Sequence, residues 1–352
     1  MTQFLRALKS ITRFAAYKAN RHRKSILVEI SNVCNAQCYY CQTGWENRNH
    51  ITHPGTSFME VERFKQILAY ARKTSFVKGQ SLVTLHNWHE PLLHPDFPSI
   101  IKAAQQAGYC VELSTNANVL PKISPDFDAS PIAMTIFSMP GFSQASYDKI
   151  HRFDFEHIKH NIAQIVKTFR QHGCFGRFII AFHVYQFNTH ELQAAKAFAR
   201  SLAIDLWPYF AFICDGPRHL QYLKGTLPND YLLNVSKDLF MGFYMKNLKP
   251  STFCPVAKNL TVDVDGNCRM CCNDDTLLGN VFEMTPDRWD RIHQEHPVCK
   301  ECMALGKANW ELADDLNFPL QGFAQFKRIN FTYLKAFALT CLQSPKAENA
   351  KP

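Results

Sequence analysis

Cys34, Cys38 and Cys41 place three thiols within the run Cys34-Asn35-Ala36-Gln37-Cys38-Tyr39-Tyr40-Cys41, directly after the apolar stretch Ile26-Leu27-Val28-Glu29-Ile30. Thiolates are soft ligands that select iron–sulfur clusters, zinc or copper(I). A four-iron cubane is ordinarily held by four cysteines, so three at this spacing hold three irons and leave the fourth open to a chelating ligand. Read as packing alone, the triplet would be small apolar residues on one helix face. A second group follows far downstream: Cys254, Cys268, Cys271, Cys272, Cys299 and Cys302. Taken alone, Cys268-x-x-Cys271 with Cys299-x-x-Cys302 has the spacing of a structural zinc site. Cys110 and Cys174 read as structural.

These residues need elements to position them. Strand-like segments are expected at 26–31, 81–86, 109–114, 131–138, 178–185 and 204–213, the fifth a near-continuous apolar run of the kind buried on both faces. Helical patterns lie between them, opened by a capping box at Ser57-Phe58-Met59-Glu60, running from Phe97 to a stop at Gly108, covering about 154–172, and starting again at a cap on Asn188. Repeated βα units imply a parallel sheet with right-handed crossovers. The expected fold is α/β, a partial (β/α)6 TIM-like barrel followed by a small cysteine-rich domain, with active groups at the carboxyl ends of the strands. The expected divisions are a basic amphipathic helix at 1–24, the barrel at 25–215, a helical linker at 216–250, the cysteine-rich domain at 251–310, and a helical extension and tail at 311–352.

The spacing CxxxCxxC, with an aromatic before the last Cys, resembles the signature of radical S-adenosylmethionine (SAM) enzymes. Two strand ends extend the likeness. Trp88-His89-Glu90-Pro91 resembles the Gly-Gly-Glu-Pro segment that meets the SAM amino group, departing from it where Trp88 and His89 replace glycines. Ser114-Thr115-Asn116 resembles the family's Ser-Thr-Asn, whose polar groups reach the methionyl carboxylate or ribose. The resemblance implies a 4Fe-4S cluster on Cys34, Cys38 and Cys41 with an open iron for SAM. Tyr40 would pack by the adenine, and Glu90, Ser114, Asn116, Ser138 and His183 would face the cofactor. Ser138 and His183 read equally as a strand-end polar group and a satisfied core histidine. Reductive cleavage of SAM would give a 5′-deoxyadenosyl radical that abstracts a substrate hydrogen, with the electron coming from a donor such as a flavodoxin or ferredoxin.

Cys254-x₁₁-Gly266-x₄-Cys271 resembles the first half of the SPASM extension behind many such cores, with Asp265-Gly266 as its hairpin turn. It implies one auxiliary 4Fe-4S cluster, of the shorter twitch type, on Cys254, Cys271, Cys299 and Cys302, with Cys272 an alternative to Cys271 and zinc an alternative metal. Such a cluster accepts an electron from a substrate radical, so oxidation of a peptide side chain or a small hydroxylated, sugar-like molecule is expected. Cys214, beside Asp215 at the end of the sixth strand, stands where a hydrogen donor or base for epimerisation would be; as packing it is a buried strand cysteine. Two rival readings are an RNA-modifying relative and a zinc-stabilised binding protein without catalysis.

Composition sets outer bounds. Over 352 residues, 46% apolar and 20% charged content is that of a globular chain. Of a net charge of +9, +7 lies in residues 1–24, which hold Arg6, Lys9, Arg13, Lys18, Arg21, Arg23 and Lys24 without an acid. The near-neutral remainder speaks against a broad nucleic-acid-binding face. Phe4, Leu8, Ile11 and Ala15 give residues 1–20 an apolar stripe that could rest on an anionic membrane, dock on the domain, or belong to a transit peptide. No run reaches bilayer-spanning length, and 13 cysteines without a preceding signal peptide read as metal ligands in a cytoplasmic protein.

Overall fold

The structure, a computed structural model, describes residues 25–244 and 250–308 except 53, 54, 56, 80, 252, 253 and 255. The helix expected over 1–24 and the extension over 311–352 lie outside the described residues. Six parallel strands follow one another along the chain: β1 (Ile26–Val28), β2 (Ser81–Thr84), β3 (Tyr109–Thr115), β4 (Ile132–Met139), β5 (Arg177–Val184) and β6 (Asp205–Phe210). They are hydrogen-bonded in chain order. Every crossover but the one from β3 to β4 carries a helix. Among these are α1 (Gln42–Arg48) and α2 (Val61–Lys73) after β1, α3 (Phe97–Gln106) after β2, α4 (Gln144–Lys149) and α5 (Phe155–Gln171) after β4, and α6 (Leu192–Ser201) after β5.

The helices are held by one apolar face each. On α2 this face is Phe64, Ile67, Leu68 and Ala71; on α3 it is Phe97, Ile100, Ile101 and Ala104; on α5 it runs from Phe155 through Ile158, Ile162 and Ile165 to Phe169. These spacings of three and four residues are one face of a helix, and each buried Phe, Ile or Leu contributes about 1.5–3 kcal/mol. Phe97 and Phe169 stack at 6.4 Å between ring centroids, joining two crossovers. Strand β5 buries Phe178, Ile179, Ile180, Ala181 and Phe182 in succession, as its continuous apolar run predicts.

Two start signals act differently from expectation. Helix α2 begins at Val61 with Glu60 as its unbonded N-cap. The Ser57 carbonyl instead accepts from Asn32 N at 2.8 Å, and Phe58 pairs antiparallel with Ser31. The strand exit captures this segment before a helix can start. Asn188 precedes a 3₁₀ turn rather than capping α6. Its side chain accepts from Tyr185 N and donates to the Pro140 and His183 carbonyls, tying the ends of β4 and β5 together.

Beyond β6 come α7 (Gly216–Lys224), α8 (Asn229–Asp238) and a single turn, α9 (Met241–Tyr244). The chain then returns to the sheet through β7 (Leu260–Val262), β8 (Asn267–Cys271) and β9 (Asp274–Asn280), and ends in α10 (Pro286–Glu295) and α11 (Pro297–Ala304). Strand β7 lies parallel to β1, pairing Ile26 with Leu260 and Val28 with Val262, and β8 and β9 continue antiparallel. The expected hairpin turn forms: Gly266 takes φ +82°, and Asp263 Oδ1 accepts from the N–H groups of Asp265 and Asn267. The cysteine-bearing hairpin therefore continues the main sheet along its β1 edge.

The run from β1 to β6 curls until the loops beyond its first and last strands meet at the carboxyl ends. Cys41, beyond β1, forms a parallel bridge with Cys214, beyond β6. Cys214 N donates to the Tyr40 carbonyl at 2.7 Å, and Gln42 N donates to the Cys214 carbonyl at 3.3 Å. The loops at that end consequently enclose a space instead of lying along an open edge.

Candidate active site

The cysteine triplet lies in the loop between β1 and α1, so it is not a stripe on a helix face. Helix α1 holds that loop in shape. Asn47 Nδ2 donates to the Cys34 and Ala36 carbonyls at 2.7 and 2.8 Å, and Arg48 donates twice to the Gln37 carbonyl. Gly44 lets the helix approach: a Cβ there would come within 3.0 Å of the backbone N, Cα and O of Cys38. All three cysteines line one cavity of about 900 Å³, open to solvent, with Tyr40, Glu90, Ser114, Asn116, Ser138, His183 and Cys214. The structure thus brings together every residue expected at the first site.

The three thiols differ. Burial and the nearby Glu90 push Cys34 up to about 12, and burial with the charges of its two sister cysteines pushes Cys38 well above the usual thiol range. Cys41 is lowered, chiefly because the Cys214 thiol donates to it, with further help from the N–H groups of Gly44 and Thr43. Three thiolates this close repel one another, so holding all of them ionised takes cationic metal. Among the described residues, no three His, Cys, Asp or Glu side chains stand close enough to share a single ion. A cubane asks for less, since each cysteine binds its own iron. The donor set, its enclosure and the close-packed loop fit that cluster.

Glu90 does more than the sequence suggests. Its carboxylate is buried and accepts from Thr115 Oγ1 and Asn116 N, both at 2.7 Å, and from Leu92 N at 3.0 Å. It locks the end of β2 to the end of β3, and burial raises its pKa to about 7 against those hydrogen bonds. Asn116 turns back to the cysteine loop, donating to Asn35 Oδ1 at 2.8 Å and lying 3.9 Å from Cys34 Sγ. Tyr40 has its ring on the cavity and its hydroxyl on Asp238 Oδ2 at 2.8 Å. Ser138 Oγ and His183 Nε2 meet at 3.2 Å.

Several residues of this site were not singled out by sequence. Glu29, buried just past β1, accepts from Trp88 N at 2.9 Å and pairs with His89 Nδ1 at 2.7 Å. Burial disfavours the His89 imidazolium, but Glu29 outweighs it and raises the pKa. The Trp88-His89 departure from the family glycines is therefore matched by an acid on the neighbouring strand. An acid inside the apolar run Ile26–Ile30 was the available signal. His86 accepts from Ser114 N at 2.8 Å and, like His183, is held at about 4 by burial; His151 is held at about 3 by burial and by His183. His151 Nδ1 and Asn87 Nδ2 are buried beside the cavity without a hydrogen-bond partner. Orphaned polar atoms are costly, and here they face space that a ligand's polar groups would fill.

The second cysteine group also converges. Cys254, Cys271, Cys299 and Cys302 line a separate cavity of about 560 Å³ whose other walls include Leu220, Val256, Met270 and Met303. Burial and neighbouring thiols push Cys271 well above the usual range and Cys299 to about 12. Lys307, only 1% exposed, lines the same cavity and places a positive charge near Cys271. No sequence feature marked it. Cys268 is fully buried in the core, away from this cavity. Residues i and i+3 of a strand point to opposite faces, so Cys268-x-x-Cys271 on β8 does not act as a ligand pair. Cys272 does not line this cavity and lies near enough to Cys214 to raise its pKa. Cys110 is buried in β3, and the Cys174 thiol donates to the Ile132 carbonyl, both as structural cysteines.

Comparison with known proteins agrees with this geometry. Residues 28–199 match the radical SAM superfamily. The chain carries a domain of that superfamily, whose members are enzymes. It is 29% identical over 114 residues to an S-adenosylmethionine-dependent nucleotide dehydratase of Selenomonas ruminantium, covering 31% of this chain and 34% of that protein. It is 28% identical over 138 residues to a 7-carboxy-7-deazaguanine synthase of Clostridium acetobutylicum, covering 39% and 58%. The match thus spans about a third and just over half of those two relatives. In fold, the solved structure of anSMEcpe with bound AdoMet superposes with a TM-score of 0.54 at 14% identity, covering 90% of this chain and 98% of that one. Among the described residues no helix is long and apolar enough to cross a membrane.

Proposed function

We propose that this chain is a radical SAM oxidoreductase that abstracts hydrogen from a small hydroxylated, sugar-like substrate, with a second cluster in the Cys254 cavity taking up an electron. The observation that carries the reading is the convergence of Cys34, Cys38 and Cys41 with the ends of β2, β3, β4 and β5 on one cavity. Bound together there, a 4Fe-4S cluster and SAM supply a 5′-deoxyadenosyl radical once an electron arrives from a flavodoxin- or ferredoxin-type donor.

The chain's own residues bind, orient and enclose. Helix α1 clamps the cysteine loop, and Glu90 joins it to the ends of β2 and β3. Tyr40 offers a ring face, and Ser114, Asn116 and the Glu90 carboxylate offer groups for the methionyl end of SAM. Ser138, His151, His183 and Tyr209 make a hydrogen-bonding wall whose histidines burial keeps neutral. Such a wall suits hydroxyl groups better than a charged peptide side chain or an RNA phosphate. In the second cavity Cys254, Cys271, Cys299 and Cys302 would hold the auxiliary cluster, and Lys307 would offset part of its negative charge.

Iron, sulfide and zinc per chain after anaerobic reconstitution test this. About eight irons with matching sulfide are expected for two four-iron clusters. About four irons plus one zinc would make the second site structural, and zinc alone would end the reading. Cys38→Ala should abolish SAM cleavage, whereas Cys299→Ala should spare cleavage and stop product formation. Cleavage retained by Cys38→Ala would sink the assignment of the first site.

A further inference from the structure

Cys214 was expected to work on substrate from the end of the sixth strand; its surroundings give it another task. It bridges to Cys41 through the backbone on both sides, with Cys214 N on the Tyr40 carbonyl and its own carbonyl on Gln42 N. That clamp fixes the two side chains against each other at the rim of the first cavity. A cysteine that binds iron does so as a thiolate and has no proton to give, so of the clamped pair the donor is Cys214. The turn after Cys214 also forms the wall between the two cysteine cavities. Gly216 lines the second cavity, and a Cβ on it would collide with the Asn273 carbonyl, so the turn lies directly on Asn273, two residues past Cys271.

We propose that Cys214 is a positioning residue for the first metal site, its thiol donating a hydrogen bond to the Cys41 sulfur so as to raise the reduction potential of the cluster bound there. The inference rests on the assignment of Cys34, Cys38 and Cys41 as cluster ligands. The physical reason is a differential one. Reduction adds negative charge to the cluster and its ligand sulfurs, so a donor to one of them binds the reduced form more strongly. Removing the donor therefore favours the oxidised form.

The test uses wild-type, Cys214→Ala, Cys214→Val and Cys214→Ser chains with the second site emptied in each by Cys299→Ala and Cys302→Ala, so that one cluster is read. Each is reconstituted anaerobically, assayed for iron, and titrated with reductant by electron paramagnetic resonance. The Ala and Val variants should bind the same iron as wild type. At a fixed potential their ratio of reduced to oxidised cluster should fall about tenfold, the worth of one hydrogen bond, or about 59 mV for one electron. The Ser variant, still a donor, should stay near wild type. In wild type an exchangeable proton coupled to the reduced cluster should vanish in deuterated buffer, and it should be missing from Cys214→Ala. Unchanged potentials in both Ala and Val variants would overturn the proposal, as would a Ser variant that shifts as far as they do. Loss of iron from Ala and Val would overturn it as well, because Cys214 would then hold the cluster in place instead of setting its potential. A parent chain that takes up no iron would instead defeat the ligand assignment, and this inference with it.

Discussion

Glu90 lines the cavity and at the same time fastens its wall. Its carboxylate joins two strand ends by hydrogen bonds yet is buried deeply enough that its pKa rises to about 7. A raised acid pKa means that the folded chain holds the proton more tightly than the unfolded one. The stability from protonated Glu90 is fully present below its ordinary value of 4.5 and is lost as pH rises through about 7, on the order of 3 kcal/mol in all. The buried histidines act in the opposite sense, because their pKa values are lowered: their contribution is present above 6.5 and lost as pH falls toward about 4. Subtracting Glu90→Gln from wild type isolates the carboxyl. In cluster-free protein, the melting temperature of wild type relative to the variant should decline from pH 5 to pH 7. A difference independent of pH would show that Glu90 does not titrate there.

At the scale of elements, the short helix α1 decides whether the cysteine loop has a shape. It reaches the loop through Asn47 and Arg48, and it can come that close because residue 44 is glycine. Gly44→Ala puts a methyl group against the backbone of Cys38, which cannot move without breaking the loop's hydrogen bonds. The cost should be about 1–3 kcal/mol, seen as a lowered denaturant midpoint. Iron at the first site should fall while iron at the second is kept. Equal loss from both sites would mean that the substitution acts on the whole fold. Much of this scale was legible beforehand. Helix α3 spans Phe97–Gln106 as its pattern predicts, and β2 to β5 lie within a residue or two of the expected segments. Helix α2 starts later than Ser57 because a tertiary pairing, Phe58 with Ser31, competes for the same residues.

For the whole molecule, the cysteine-rich hairpin and the barrel share one sheet. Strand β7 covers the β1 edge that an open partial barrel would leave bare. A chain ending at Pro250 should accordingly expose unpaired backbone along β1 and self-associate; it should elute as aggregate in size-exclusion chromatography, where the full chain does not. A well-behaved monomer would show that the hairpin is dispensable to the barrel. The sequence by itself determined the thiol triplet, the order of βα units, the hairpin turn at Gly266 and the strand-end polar groups, because each is set by spacings within a few residues. Only the tertiary structure decided that Glu29 answers His89, that Cys268 turns away from Cys271, and that Cys214 reaches Cys41. More than 170 positions separate Cys41 from Cys214, and only the curl of the sheet makes them neighbours. Pairings of that kind depend on how many elements pack at once, and no local periodicity records them.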